Sequence, residues 1–191
     1  MLSRDQARRE AIAKAQIEVR KQPVYLDTET TGLNPTDQIV EICLIDSDGS
    51  SLFESLVKPT GRIPHDATRV HGITEAMVAN APTWPEIWPQ VNATLAGRQL
   101  GIYNEEYDLR LMRQSHRVHR LEWPTPEFTS FCIMKLYAQF RGEWDARRGN
   151  YRWHSLENAR MQCRLDLPNA HRARADALLA RAVLQYMAQQ R

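Results

Sequence analysis

The chain has the length and composition of a globular protein with a substantial core. Its 191 residues suit one domain, or one domain with a terminal extension, and 42% of them are hydrophobic and 25% charged. No apolar run approaches the roughly 18 residues needed to span a bilayer, and the N-terminal segment lacks the apolar stretch of a secretory signal. Cys43, Cys132 and Cys163 are odd in number and widely spaced, which favours reduced thiols over a disulfide framework or a zinc site. We therefore expect a cytoplasmic protein that does not contact membranes.

The net charge of +2 conceals an uneven distribution. Residues 23–108 contain four basic and thirteen acidic residues, whereas residues 109–174 contain thirteen basic and six acidic residues. The acidic part is suited to a cation, and the basic part is suited to a polyanion such as nucleic acid, because lysine and arginine gain affinity for phosphates by releasing counterions. The alternative for the basic part is a surface that is only solvated.

Residues 3–21 predict a helix. Ser3 and Gln6 form a capping-box pattern, and neither glycine nor proline interrupts the segment before Pro23. The apolar face of this helix is thin. We therefore expect residues 1–22 to be a helical appendage outside the main core and residues 23–191 to form the functional domain.

The next segments predict an α/β protein. Residues 24–29, 38–46 and 51–59 read as three strands with short connections, which indicates an antiparallel meander. A helical stretch near residues 74–97 precedes a fourth strand at 98–103, a helix follows at 105–116, and residues 128–140 suggest a short strand leading into a helix. Apolar residues between Ala175 and Tyr186 recur with helical spacing. This order predicts a mixed sheet flanked by helices.

Two carboxylates stand out in the first strand. Side chains alternate along a strand, so Asp27 and Glu29 point to the same face and Thr28 to the other. Carboxylates this close raise each other's proton affinity unless a cation neutralises them. A solvated strand end is the alternative to a metal site for this pair alone.

Three further residues extend the pattern. Asp108 and Asp176 each lie near the start of a predicted helix, where one aspartate alone is explained by the helix dipole. With the first pair they make a set of four carboxylates that could hold two metal ions about 3.5–4 Å apart, as in phosphoryl displacement. His171 lies in a loop before the last helix and could accept a proton from water near neutral pH. A surface histidine is the alternative.

These residues fall in motifs that resemble the DEDDh family of 3′→5′ exonucleases, which includes the proofreading subunit of bacterial DNA polymerase III. The "DTETTGL" of residues 27–33 is similar to the first motif of that family, and "YNEEYD" of residues 103–108 to the second, H-N-x-x-F-D. The third motif, H-x-x-x-x-D-A, matches residues 171–177. Residues 57–74 resemble the linker that ends in H-G-I-T.

The resemblance implies an RNase H-like fold and a metal-dependent site. It implies that Asp27, Glu29, Asp108 and Asp176 coordinate two Mg²⁺ or Mn²⁺ ions. His171 would be the general base. Residues implied to contact the substrate are Thr28, Thr30, Leu33, His71, Asn104 and Tyr107. For His71, holding the linker is an alternative to contacting the terminal nucleotide.

Two features differ from the family pattern or lie outside it. Tyr103 and Tyr107 replace the usual histidine and phenylalanine of the second motif. Both replacements are aromatic and leave the acidic residues intact, so they bear on how the substrate is bound and not on catalysis. Residues 139–156 interleave arginines with tryptophan and tyrosine, a combination suited to single-stranded nucleic acid. The alternative is that the tryptophans anchor a long loop to the core.

We therefore predict a 3′→5′ exonuclease that acts on single-stranded ends, with DNA favoured over RNA, and releases nucleoside 5′-monophosphates. An exoribonuclease that trims RNA ends is the first alternative. A catalytically inactive nucleic-acid-binding module and an interaction protein that docks through its N-terminal helix are the others. The N-terminal helix could also support a homodimer.

Overall fold

A five-stranded mixed sheet forms the centre of the computed structural model, which describes residues 3–191. The strands are β1 (Val24–Thr30), β2 (Ile39–Ile45), β3 (Ser51–Leu56), β4 (Gln99–Ile102) and β5 (Thr129–Cys132). They lie in the order β3-β2-β1-β4-β5. The first three are antiparallel, whereas β4 and β5 run parallel to β1. The predicted α/β class, mixed sheet and antiparallel first strands are confirmed.

Helices cover both faces of this sheet. They are α1 (Arg4–Arg20), α2 (His65–His71), α3 (Glu75–Val78), α4 (Trp84–Leu95), α5 (Glu105–Val118), α6 (Ile133–Arg141), α7 (Leu156–Cys163) and α8 (Ala173–Ala188). The face that carries Val24 and Leu26 packs with residues of α4 and α5. The opposite face, which carries Tyr25 and Cys43, packs with residues of α1, α6 and α8. The alternation along β1 thus directs Asp27 and Glu29 toward α8 and Thr28 toward α5.

Helix α1 belongs to the core, which corrects the expectation that it lies outside. Its capping box is confirmed: Ser3 Oγ accepts from the Gln6 N–H, and Gln6 Oε1 accepts from the Ser3 N–H. Ala11 and Ala15 are fully buried in the cluster that α6 and α8 also form. Alanine gives little apolar signal in a sequence, yet its small side chain lets helices approach closely. The division into residues 1–22 and 23–191 stays a prediction.

Several short elements were not foreseen. Helices α2 and α7 are each eight residues or fewer, and β6 (Trp144–Asp145) pairs with β7 (Asn150–Tyr151) as an antiparallel hairpin within the Arg- and Trp-rich segment. Cys43, Cys132 and Cys163 are free and buried. Across residues 3–191, none of the helices combines the length and apolar composition required to cross a membrane.

Candidate active site

The predicted catalytic residues converge on one cleft. The end of β1 supplies Asp27 and Glu29, the first turn of α5 supplies Asp108, and the loop and first turn of α8 supply His171 and Asp176. All five line an open cavity of about 700 Å³. Residues separated by up to 149 positions in sequence therefore share one wall of solvent-accessible space.

Three of the carboxylates are close enough to share a cation. One oxygen from each of Asp27, Glu29 and Asp176 lies within 4.8 Å of the others. Asp108 is buried beside them, and its Oδ1 accepts a 2.7 Å hydrogen bond from the Thr28 hydroxyl. Thr28 thus reaches Asp108 from the opposite face of β1 and fixes the orientation of that carboxylate.

The pKa values of all four carboxyls are raised, mainly by burial. The pKa of Asp27 lies well above its usual value because burial and then the charge of Asp108 oppose ionisation. Burial, followed by the charge of Asp176, raises the pKa of Glu29 to about 8. Burial raises the pKa of Asp108 to about 7 and that of Asp176 to about 6. Carboxylates crowded in this way require either protons or a cation.

The donor set fits a hard divalent cation. Mg²⁺ and Mn²⁺ prefer oxygen ligands, and every acidic group in this cleft wall offers carboxylate oxygens. A bound cation would also stabilise the ionised form of these carboxylates, which burial disfavours in all four. Asp27, Glu29, Asp108 and Asp176 are therefore the residues that could hold such ions.

His171 lies in the loop before α8, as the sequence predicted. Its backbone has a φ of 47°, in the left-handed region that is uncommon for a residue with a side chain. The side chain is exposed and lines the cleft near Asp176, whose pKa it lowers against the larger effect of burial. This position leaves the imidazole free to reach solvent and substrate.

Glu41 is a residue that the motifs did not reveal. It is buried on β2 directly opposite Glu29. Its carboxylate accepts hydrogen bonds from Arg172 Nε at 3.0 and 3.1 Å, from Arg172 Nη2, and from the Ala173 N–H at 2.9 Å. The contact fixes the N-terminus of α8 between His171 and Asp176. The pairing register of β1 and β2 creates it, so the local sequence holds no signal for it.

Asn169 is a second residue that sequence reasoning missed. Its side-chain amide faces Asp176, and in the orientation that satisfies both groups its nitrogen donates to the two carboxylate oxygens at 3.0 and 3.1 Å. Asn169 also lines the cleft. Only the fold of the loop brings the amide to this carboxylate.

The predicted substrate residues near the end of β1 form a hydrogen-bonded corner. Thr30 Oγ1 and the Tyr107 hydroxyl are 2.7 Å apart, and the Gly32 carbonyl oxygen lies 3.0 Å from the first and 3.1 Å from the second. The two hydroxyl protons can fill two of these three contacts at one time. Leu33 follows at 74% exposure. Thr28, Asn104 and Tyr107 line the cleft, whereas Thr30 and Leu33 lie outside its lining. The corner holds Leu33 out toward solvent.

His71 holds the linker in place. Its Nδ1 accepts from the Ile73 N–H at 3.0 Å, so its Nε2 carries the proton and donates to the Thr30 carbonyl at 3.2 Å. Burial lowers the pKa of His71, which favours the neutral ring. The side chain is buried and does not line the cleft.

Comparison with known proteins identifies the family. The family model described as Exonuclease matches residues 24–184, which contain all five converging residues. The uncharacterized exonuclease CP81 of Escherichia phage 186 is 41% identical over 172 residues, covering 86% of this chain and 87% of that protein. DNA polymerase III subunit epsilon of Treponema pallidum is 30% identical over 156 residues, covering 79% and 69% of the two chains.

Solved structures agree with this assignment. Exonuclease X, in complex with 5′-overhanging duplex DNA, superimposes with a TM-score of 0.64 at 26% identity over 86% of this chain and 90% of that chain. The nuclease domain of 3′hExo, a DEDDh family member bound to rAMP, gives a TM-score of 0.68 at 19% identity over 90% and 95%. The latter likeness concerns the fold and confirms the expected RNase H-like class. Because the family match spans most of its length, this chain belongs to the exonuclease family, as a 3′→5′ exonuclease of the DEDDh type that resembles the proofreading subunit of bacterial DNA polymerase III.

Proposed function

We propose that this protein uses divalent metal ions to remove nucleotides from the 3′ ends of single-stranded DNA, releasing nucleoside 5′-monophosphates. The observation that carries the proposal is the convergence of four carboxylates and His171 on one open cleft. The raised pKa of Glu29, about 8, supports a cation in that cleft, because burial and the neighbouring carboxylates oppose its ionisation more than Arg172 favours it.

The converging residues divide two tasks in the proposed reaction. Two cations would be held in each active site, and the residues that would hold them are Asp27, Glu29, Asp108 and Asp176. Such ions, when bound, lower the pKa of water and offset charge on the phosphate and leaving oxygen. His171 takes a proton from the attacking water. The water oxygen bonds to phosphorus, the bond from phosphorus to the 3′ oxygen of the preceding nucleotide breaks, and that oxygen takes up a proton.

The corner after β1 supports a role in holding the terminal nucleotide. Leu33 is exposed and would press against the last base, while the hydrogen bonds of Thr30 and Tyr107 fix the backbone behind it. Thr28 and Asn104 would contact the strand where they line the cleft. His71 would act by holding the linker against Thr30.

DNA is the favoured substrate, and RNA is the alternative. Exonuclease X binds a DNA duplex with a 5′ overhang, and the motifs resemble those of DNA proofreading enzymes. The 3′hExo domain binds rAMP, which keeps RNA as a candidate. A cytoplasmic location and a homodimer are further proposals; free, buried cysteines support a reducing compartment.

The direct experiment follows the length of 5′-labelled single strands of DNA and RNA with one sequence. The proposal predicts a ladder that shortens from the 3′ end in Mg²⁺ or Mn²⁺, disappears in EDTA, and forms faster on DNA. Asp27→Ala should slow the reaction by about 100-fold or more, the scale at which loss of one electrostatic contact affects catalysis.

The matched control is Asp66→Asn. Asp66 is an exposed carboxylate that pairs with Arg69 on α2 and does not line the cleft. Its substitution should leave the rate unchanged. Cleavage that survives Asp27→Ala would refute the metal assignment, and a strand that is bound but never shortened would favour the binding-module alternative.

A further inference from the structure

Residues 143–153 form a hairpin arm that the proposed catalytic centre does not use. Strands β6 and β7 pair through Trp144 with Tyr151 and Asp145 with Asn150, and residues 146–149 make the turn. The Arg152 N–H donates to the Glu143 carbonyl at 2.7 Å, which extends the pairing by one step. The arm is therefore an ordered structure on the surface.

One end of the arm is held against α1 and the other is held next to the cleft. On one side Gly142 ends α6 with a φ of 66°, and a Cβ at Gly142 would approach Arg4 to 2.6 Å. On the other side the Tyr103 hydroxyl lies 3.0 Å from the His154 carbonyl oxygen and 3.1 Å from that of Ser155. Tyr103 and Ser155 line the catalytic cleft. Tyrosine, where the family usually has histidine, therefore supplies the hydroxyl that fastens the arm to the cleft wall.

The arm exposes three arginine side chains, of which one has a carboxylate partner in the arm. Arg147, Arg148 and Arg152 are all exposed. Arg148 lies 3.7 Å from Asp145. Within the described part of the chain, residues 3–191, Arg147 and Arg152 form no ion pair. Guanidinium groups without a carboxylate partner are suited to phosphate.

The arm also exposes indole rings beside these arginines. Trp144 is 40% exposed and Trp153 is 45% exposed, which is high for such large apolar side chains. Both line a shallow groove of about 620 Å³ together with Arg147, Arg148 and Arg152. Glu143 and Asp145 also line the groove, and they pair with Arg141 and Arg148. Alternating aromatic faces and cationic groups in one groove is the arrangement that binds single-stranded nucleic acid, since rings stack on bases and arginines contact the backbone.

We propose that the hairpin arm binds the part of the single strand that lies 5′ of the nucleotide in the cleft. This inference rests on the proposed function, which places the 3′ end of the strand among the carboxylates. The strand must then leave the cleft, and the arm adjoins the cleft wall at Ser155. The arm thus adds affinity for long strands without taking part in the cleavage step.

Binding without turnover gives the first test. Fluorescence anisotropy of a 5′-fluorescein 20-mer of thymidylate is measured in EDTA with the wild-type protein, with Arg147→Ala/Arg152→Ala, and with Trp153→Ala. Each variant should lose about tenfold in affinity, as expected for loss of backbone contacts or of one stacked base. The slope of log affinity against log salt should also weaken by about 0.7 for each arginine removed.

Turnover on short substrates gives the second test. A trinucleotide places only two nucleotides 5′ of the one in the cleft, so we expect its rate of degradation in Mn²⁺ to be the same in all three proteins. Arg9→Ala/Arg20→Ala removes two exposed charges from α1 and should leave the affinity for the 20-mer within about twofold of the wild-type value.

Two results would overturn the inference. One is a 20-mer affinity that the arm variants leave unchanged, which would assign the arm to another kind of partner. The other is a rate of trinucleotide degradation that falls in the arm variants by the same factor as the affinity for the 20-mer, which would mean that the arm only shapes the cleft. A protein that binds the 20-mer through the arm but never cleaves would instead refute the proposed function, so the two failures are distinguishable.

Discussion

At the scale of single residues, Glu41 determines where two proposed catalytic groups lie. Its buried carboxylate holds Arg172 and the Ala173 N–H at the start of α8. His171 precedes this contact by one residue, and Asp176 follows it by one turn. A residue with no place in the motifs therefore sets the geometry of the third motif.

Glu41→Gln should lower kcat by about tenfold and leave KM nearly unchanged. Glutamine keeps the size of the side chain and can accept from the Ala173 N–H, but it loses the charge that holds Arg172. Steady-state kinetics well below the melting temperature check this, with Asp46→Asn as the control because it breaks the Arg98 ion pair outside the cleft. An unchanged kcat in folded Glu41→Gln would disprove the positioning role.

The four acids could be predicted from sequence because they fall in the family motifs and among residues that pack, where an unpaired charge is costly. Glu41 and Asn169 could not, because the first acts through the pairing of β1 with β2 and the second through the fold of a loop. Contacts between segments that are distant in the chain produce no periodic pattern in the local sequence. His71 is intermediate: the motif identified it, and the structure shows which bonds it makes.

At the scale of elements, α1 shows the limit of hydrophobic patterning. Strands β1, β2 and β4 and helix α8 were predicted because their apolar residues follow strand or helix periodicity. Helix α1 was also predicted, but its packing was not, since Ala7, Ala11 and Ala15 bury little area each. Because α1 packs closely against α6 and α8, these alanines contribute to the core although each buries little area.

Ala11→Asp should lower the free energy of unfolding by about 3 kcal/mol or more, because it places an unpaired carboxylate at a fully buried position. Ile17→Asp is the matched control, since Ile17 is 46% exposed on the same helix and should change stability by only about 0.5 kcal/mol. Urea unfolding of both variants gives the comparison. Equal stability of the two would restore the view of α1 as an appendage.

At the scale of the whole molecule, the carboxylate cluster makes stability depend on pH and on cations. A carboxyl whose pKa is raised in the folded state binds more protons there than in the unfolded chain, so stability is full at low pH and falls as pH rises toward the folded pKa. For Glu29 that fall extends from about 4.5 to about 8. The buried histidines His71 and His116 have lowered pKa values and therefore make stability rise with pH, but this effect is confined to pH values below about 7.

The melting temperature of the metal-free protein should therefore fall as the pH rises from 7 to 8.5. Glu29→Gln should flatten this dependence, because it removes a carboxyl that ionises in that range, whereas Glu54→Gln on the more exposed Glu54 should not. Mn²⁺ should raise the melting temperature more at pH 8.5 than at pH 7. Thermal denaturation in EDTA and in Mn²⁺ tests this, and a melting temperature in EDTA that rises through this range contradicts it.

The central claim is that Asp27, Glu29, Asp108 and Asp176 form the metal centre at which the strand is cut. Isothermal titration of Mn²⁺ into the protein with a nucleoside 5′-monophosphate tests it most directly, because the phosphate supplies further oxygen ligands. We predict two ions per wild-type chain and release of protons at pH 7, loss of this binding in Asp27→Asn, and no change in Asp66→Asn. Binding that Asp27→Asn leaves intact, or no binding by the wild-type protein, would contradict the account.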